Sequence, residues 1–214
     1  MDKKCFLSVF AIFKNESHII KEWIEHYLSE GVEHFWLIDN GSTDDYESEI
    51  QQYIDKITLF KDSTKHSQSP LYNKYVLPEL YKTEWVIGCD LDEFMWSTKG
   101  TISDVLHDVE ENIGLIQIPW EQYGSSGHVK QPENVISSFL NRKGGTYTIE
   151  QKCIGKGDAI TTTRQKLLYR NVRRSFKRFK DSFGTLSSSI TRLVLECEKY
   201  TWRCCFSNFR KFKK

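Results

Sequence analysis

Four short apolar runs, spaced by segments of helical periodicity, fill the first ninety residues: Phe6–Phe13, Phe35–Ile38, Ile57–Phe60 and Trp85–Cys89. None alternates strictly between apolar and polar, so each reads as a strand covered on both faces. A chain that alternates such strands with helices folds as an α/β layer around a mostly parallel sheet. The intervening segments agree. From about Ser17, the residues Ile19, Ile20, Trp23, Ile24, Tyr27 and Leu28 recur on one helical face, and Gly31 stands where such a helix ends. A short helix is expected to reach about Ile54. Another is expected over Pro70 to Leu80, with Tyr72, Tyr75 and Val76 inward and Pro78 at its last turn.

Ligands of open α/β sheets sit just beyond the carboxyl ends of the strands. Three of the four runs end there in polar groups: Lys14-Asn15-Glu16, Asp39-Asn40-Gly41-Ser42 and Asp90-Leu91-Asp92-Glu93. If the backbone stays extended after Cys89, Asp90 and Asp92 point the same way while Leu91 turns into the core. Neighbouring carboxylates repel, and a hard divalent cation such as Mg²⁺ or Mn²⁺ is the usual reason to keep them together. The plain alternative makes Asp92 a helix cap and Asp90 a solvated turn acid. Asp39 can likewise head an Asx-turn or accept an N–H from the edge of a nucleotide base. Neither a P-loop nor G-x-G-x-x-G occurs, which argues against kinases and dehydrogenases.

The second half is less regular. A helix is expected over Ile102–Val109, a strand over Leu115–Trp120, a loop over Gly124–His128 and a helix over Val135–Leu140. Tyr147 to Cys153 alternate as an edge or partly exposed strand, with Lys152 on the polar face, and Gly155–Asp158 read as a flexible loop. From Arg164 to Lys214, fifteen Lys and Arg face three acids, a net +12, so the first 163 residues carry −11 of the chain's +1. This divides the chain into an acidic body, 1–163, and a basic extension, 164–214. Phe176, Phe179, Phe183 and Leu186 repeat at helical spacing among basic residues, and Trp202, Phe206, Phe209 and Phe212 continue it. Such a helix suits an anionic membrane surface, although it can equally pack on the body or lead into a further domain. The six cysteines show no C-x-x-C pair and no zinc spacing, which favours a reducing, cytoplasmic compartment. Lys3-Lys4 before Cys5–Phe13 mimics a signal peptide, but no cleavage site follows, and no segment reaches membrane-spanning length.

One ordered series carries a family likeness. It runs Phe13-Lys14-Asn15-Glu16, Glu22-Trp23, His26, Gly31-Val32, Asp39-Asn40-Gly41-Ser42-Thr43-Asp44, Trp85 and Asp90-Leu91-Asp92-Glu93-Phe94. With Trp120-Glu121-Gln122-Tyr123-Gly124-Ser125-Ser126-Gly127-His128, it resembles the inverting glycosyltransferases of GT-A fold, in their family 2-like branch. That branch includes small glycosyltransferase domains of large algal DNA viruses, and the likeness covers about residues 6 to 158. The resemblance implies a UDP-sugar donor of glucose or rhamnose type and an oligosaccharide or glycoprotein acceptor, such as a capsid glycan. It implies host cytoplasm for a viral source, and no nucleic-acid partner is expected.

By the same resemblance Asp92 is the main Mn²⁺ or Mg²⁺ ligand, with Asp90 reaching ribose or a metal-bound water. Asp39 binds the base, and Phe13, Asn15, Glu16, Gln68 and Asn73 belong to the nucleotide pocket. Trp120, Tyr123 and Gly124–Ser126 line the sugar and acceptor side. The branch usually adds a later histidine to the metal, but none follows His128 here. For the catalytic base, Asp158 and Glu121 are the acids placed beyond the metal, with Asp158 preferred because loop acids can close over an acceptor. Two other classes compete, a sugar-phosphate nucleotidyltransferase and a non-enzymatic binding module. A missing glycine-rich phosphate loop counts against the first.

Overall fold

In a computed structural model, residues 4–65, 68–141, 151–160 and 202–207 are described. The four apolar runs become β1 (Cys5–Phe13), β2 (His34–Asp39), β3 (Ile57–Lys61) and β4 (Thr83–Gly88). They pair in parallel in the order β3-β2-β1-β4. Both faces of β1 are covered, which is why its sequence does not alternate. Leu7, Val9, Ala11 and Phe13 join a core with Ile20, Trp23 and Ile24, whereas Phe10 faces Tyr72, Val76 and Leu80 on the other side.

The first core belongs to α1 (Ser17–Ser29). Its N-terminus is capped from outside, since Asp44 Oδ2 accepts the Ser17 N–H at 2.8 Å and sets a carboxylate at the positive end of the helix. At its far end Gly31 has φ +88°, and a Cβ there would come within 2.4 Å of Ser103 Cβ, so only glycine fits. α2 (Tyr46–Ile50) runs on as a 3₁₀ turn over Gln51–Lys56, close to the expected end. The helix expected over Pro70–Leu80 is longer and irregular. It is α3 (Gln68–Leu71), then a π turn over Tyr72–Val76 and a 3₁₀ turn over Leu77–Lys82. Pro78 has no N–H for a regular α turn, which accounts for the change of winding. Tyr72 and Val76 are buried as expected, and Tyr75 is half-buried.

After β4 the chain turns into β5 (Glu93–Ser97), α4 (Ile102–His107), β6 (Leu115–Tyr123), α5 (Val135–Ser138), β7 (Gln151–Lys156) and β8 (Trp202–Ser207). Thr101 and Asp104 exchange side-chain and backbone hydrogen bonds and fix the start of α4. The full order is β3-β2-β1-β4-β7-β6-β8-β5. The expected fold class, a mostly parallel α/β sheet flanked by helices, is therefore present.

Three expectations need correction. β7 is no edge strand, because it lies between β4 and β6, antiparallel to both. Gly155 and Lys156 belong to it and not to a loop, since their backbone is taken up by the pairings with Val86 and Trp85. Trp202 and Phe206 stand in β8, a strand paired with β5 and β6, where helical spacing had suggested a helix. Strand pairing across the sheet outweighs a local periodicity there. α5 is also shorter than expected and ends before Phe139. Phe176 to Leu186, Phe209, Phe212 and Tyr147 to Glu150 lie outside the described residues. No helix among the described residues is long and apolar enough to cross a membrane.

Candidate active site

The carboxyl ends of β1, β2 and β4 meet at one rim, and the loop after β2 is stapled to the loop after β1. Asn15 adopts a left-handed φ of 57°, which asparagine tolerates better than most residues. Its N–H donates to Ser42 Oγ at 3.0 Å, and its Oδ1 accepts the Thr43 N–H at 2.7 Å. Asp39 accepts the Ser42 N–H at 2.7 Å on one oxygen and the Tyr46 hydroxyl at 3.1 Å on the other. It is 7% exposed. Asp39 thus heads a turn, although it accepts from the residue three on and not from the one two on that defines the Asx-turn weighed for it, and each oxygen has a second lone pair. Phe13 lies in the core, its ring edge-on to Tyr46 at 4.8 Å, and shapes the rim from below.

At the end of β4 the backbone does not stay extended. It turns, with Glu93 N–H donating to Asp90 O at 3.1 Å, and Leu91 alone goes into the core. Just before the turn Gly88 leaves room for the Phe10 ring of β1, which a Cβ would approach to 2.5 Å. The turn is gripped by α1. The Trp23 indole N–H reaches both Asp90 O and Glu93 O at 3.1 Å. Tyr27 OH donates to Glu93 O at 3.2 Å and accepts the Met95 N–H at 3.2 Å. His26 Nε2 meets Met95 O at 2.7 Å. In sequence Trp23 and Tyr27 look like part of an apolar helix face, yet their polar atoms, with His26, are what position the acids.

Trp23→Phe keeps an aromatic ring but deletes the shared donor together with part of the buried indole. It is expected to cost about 1–3 kcal/mol of stability from the carbonyls that lose a partner, with the vacated volume adding to the loss. Denaturant unfolding measures this, and an unchanged midpoint would show that the indole N–H does not hold the turn. Burial holds the His26 pKa below its ordinary 6.5, although the Met95 carbonyl works the other way. As pH falls through 6.5 the unfolded chain takes up the proton first, so stability is lost below that pH. The wild-type Tm should then drop more between pH 7 and 5 than that of His26→Gln, and equal drops would contradict the assignment.

The turn brings carboxylate oxygens of Asp90, Asp92 and Glu93 within 4.8 Å of one another. Burial, followed by Asp90 and Glu16 nearby, pushes the Asp92 carboxyl up to about 7. Glu93 is fully buried, and its Oε1 has no hydrogen-bond partner among the described residues. Its Oε2 accepts the Asp90 N–H at 3.0 Å and lies 2.7 Å from Lys152 Nζ. That ammonium is also 3.6 Å from Asp90 Oδ2. Burial works against the Lys152 charge, but Glu93 and Asp90 hold its pKa above the ordinary lysine value. Three carboxylates against one ammonium, with one buried oxygen unpartnered, form an oxygen donor set that fits a hard divalent cation.

Several expected residues do converge here. Gln68 Nε2 donates to Asp90 Oδ1 at 3.2 Å, brought there by α3, and in the π turn that follows it the Tyr72 hydroxyl accepts the Ile12 N–H at 2.9 Å. Asn73 is exposed on the same helix. Glu121 lies toward the end of β6, which runs in the direction of β4, so it shares the rim. Glu121 and Phe94 both lie opposite Cys205 of the strand between them, two strand spacings or about 10 Å apart. Glu121 is 6% exposed, with the Tyr123 hydroxyl 3.4 Å from its Oε2.

Asp158 is not brought to the site. β7 runs opposite to β4, and Gly157 N–H donates to Glu84 O. Asp158 therefore stands at the amino end of β4, a strand's length of roughly 20 Å from the acids. His128 is exposed on its loop and is absent from the acidic cluster. That loop follows the carboxyl end of β6, where Ser126 Oγ accepts the Leu140 and Asn141 N–H groups and Glu22 of α1 caps α5 through Val135 and Ile136. The side chain of Trp120 lies outside the described residues. Sequence reasoning missed Lys152, taken for a solvated strand residue, and Glu93 as a buried partner. Lys152 alternates with Gln151 and Cys153 as an exposed-face residue would, so no local signal marked it.

The chain is 27% identical over 139 residues to a glycosyltransferase family 92 protein of Oryza sativa subsp. japonica, covering 62% of this chain and 24% of that protein. It is 25% identical over 202 residues to another from Ricinus communis, covering 91% and 35%. The aligned part thus spans about a quarter to a third of these relatives. Among solved structures, S. aureus TarS 1-349 in complex with UDP superposes with a TM-score of 0.42 at 18% identity, covering 59% of this chain and 38% of that one. Where the resemblance pointed to a family 2-like branch, the profile that matches is glycosyltransferase family 92, over residues 5–167, well over half of the sequence, and the chain belongs to that family.

Proposed function

We propose that the chain transfers a hexose or deoxyhexose from a UDP-sugar to a hydroxyl of an oligosaccharide or glycoprotein acceptor, with inversion at the anomeric carbon and dependence on a divalent ion. The observation that carries this is the acidic turn of Asp90, Asp92 and Glu93 at the carboxyl end of β4, in a chain of a glycosyltransferase family. Asp92 and Asp90 would hold Mn²⁺ or Mg²⁺. When bound, the ion offsets the negative charge that the leaving diphosphate develops. Asp39 accepts the base N–H on a lone pair left by Ser42 and Tyr46, while Asn15 and Glu16 line the neighbouring loop. Glu121 takes the proton of the acceptor hydroxyl as its oxygen bonds to the anomeric carbon and the bond to the diphosphate breaks. The basic extension, and a cytoplasmic location, enter this proposal from charge and cysteine usage alone.

The test is UDP release on incubation with Mn²⁺ and a panel of UDP-sugars, with and without methyl glycosides as acceptors. Release with one donor supports the reading. Silence across the panel, combined with consumption of UTP and a sugar 1-phosphate, would favour nucleotidyl transfer instead. Asp39→Ala is expected to weaken UDP binding by about 1–3 kcal/mol, the cost of an unpaired polar partner. Calorimetry giving an unchanged UDP affinity would remove Asp39 from the base pocket.

A further inference from the structure

We infer that Lys152 is a positioning residue that partitions the acidic turn, keeping Glu93 out of the cation's ligand set and leaving the ion to Asp92 and Asp90. This rests on the metal-dependent reading above. All three carboxylates approach within 4.8 Å, close enough to share one ion. What separates them is the ammonium, a cation built into the fold. Lys152 is 8% exposed and Glu93 is not exposed at all, so water screens their pairing little. The ammonium sits 2.7 Å from Glu93 Oε2, the same oxygen that accepts the Asp90 N–H. Oε2 is therefore committed twice, and the unpartnered Oε1 belongs to the carboxylate that the ammonium already neutralises. A divalent ion placed on Glu93 would face this fixed positive charge at close range, and like charges repel.

Asp90 is steered by the same group. Lys152 lies 3.6 Å from its Oδ2, and Gln68 donates to its Oδ1 at 3.2 Å. Asp92 is in no ion pair among the described residues, which leaves it as the carboxylate whose charge an external cation must meet. The position follows from the direction of β7. Register pairs Ile154 with Ile87, so Lys152, two residues earlier in an antiparallel strand, falls beside the residues that follow Cys89. Because alternate strand residues share a face, Lys152 and Ile154 point to the same side, and Ile154 is buried in the core beneath α1.

Mn²⁺ titration of the full chain, followed by electron paramagnetic resonance of free Mn²⁺ with and without UDP, separates the roles. Lys152→Met should bind Mn²⁺ at least about tenfold more tightly than wild type, because Glu93 is released to join the ion. Lys152→Met with Glu93→Gln should return the affinity to within about threefold of wild type, since both charges leave together. A folded Lys152→Met with unchanged or weaker Mn²⁺ binding overturns the inference. So does a double variant that loses roughly tenfold, because Glu93 is then itself a ligand. If the single variant fails to fold, the double variant alone decides by the same two outcomes. A wild type that binds no Mn²⁺ with or without UDP removes the metal reading and the inference together, and is distinct from either of those results.

Discussion

Asp92→Asn is expected to lower Mn²⁺-dependent UDP release by about 10³-fold or more, on the scale of removing a group that stabilises leaving-group charge. The substitution preserves shape, and Asp92 lies in a turn whose backbone is held by Trp23 and Tyr27. The fold should therefore survive. In the metal-free protein it should even gain slightly, because burial and the charges of Asp90 and Glu16 oppose ionisation at this position. Steady-state rates beside thermal unfolding distinguish the two effects. A variant that is folded and fully active would end the assignment of Asp92 to the ion. Asp90→Asn should be milder, since Gln68 and Lys152 already hold that side chain.

The second large effect concerns the base. Glu121→Gln should lower transfer to a methyl glycoside by about 10²–10⁴-fold, the usual contribution of a positioned general base, with UDP affinity unchanged. Asp158→Asn should leave both quantities as they are, because that residue faces the other end of β4. Measuring the two variants side by side is decisive. Normal transfer by Glu121→Gln places the base elsewhere, and loss of transfer by Asp158→Asn would contradict the strand direction.

The preference reverses between sequence and structure for one reason. A glycine-flanked acid looks mobile, but Gly155 and Lys156 are fixed in β7, and a Cβ on Gly157 would stand 2.2 Å from Leu80 O. The acid there is anchored to the wrong edge of the sheet. Asp39 shows a subtler case. Its turn was legible, and so was its place at the end of β2, but not that Ser42 and Tyr46 each engage one of its oxygens. In sequence Asn15 and Glu16 could either cap α1 or, by the resemblance, line the nucleotide pocket. Yet the helix cap comes from Asp44, twenty-seven residues beyond Ser17, and Asn15 instead braces the loop after β2.

What the sequence determined by itself is the parallel half: four buried strands, the helices between them, and the polar groups at their ends. Those follow from short-range rules, the period of apolar residues and the turn residues that interrupt them. Only the tertiary structure decided that β7 inserts antiparallel beside β4, that Lys152 thereby reaches Glu93 and Asp90, and that Glu121 and not Asp158 shares their rim. Strand order and direction are set by pairing between residues more than sixty positions apart, where loop closure and burial compete, and no local pattern carries that choice.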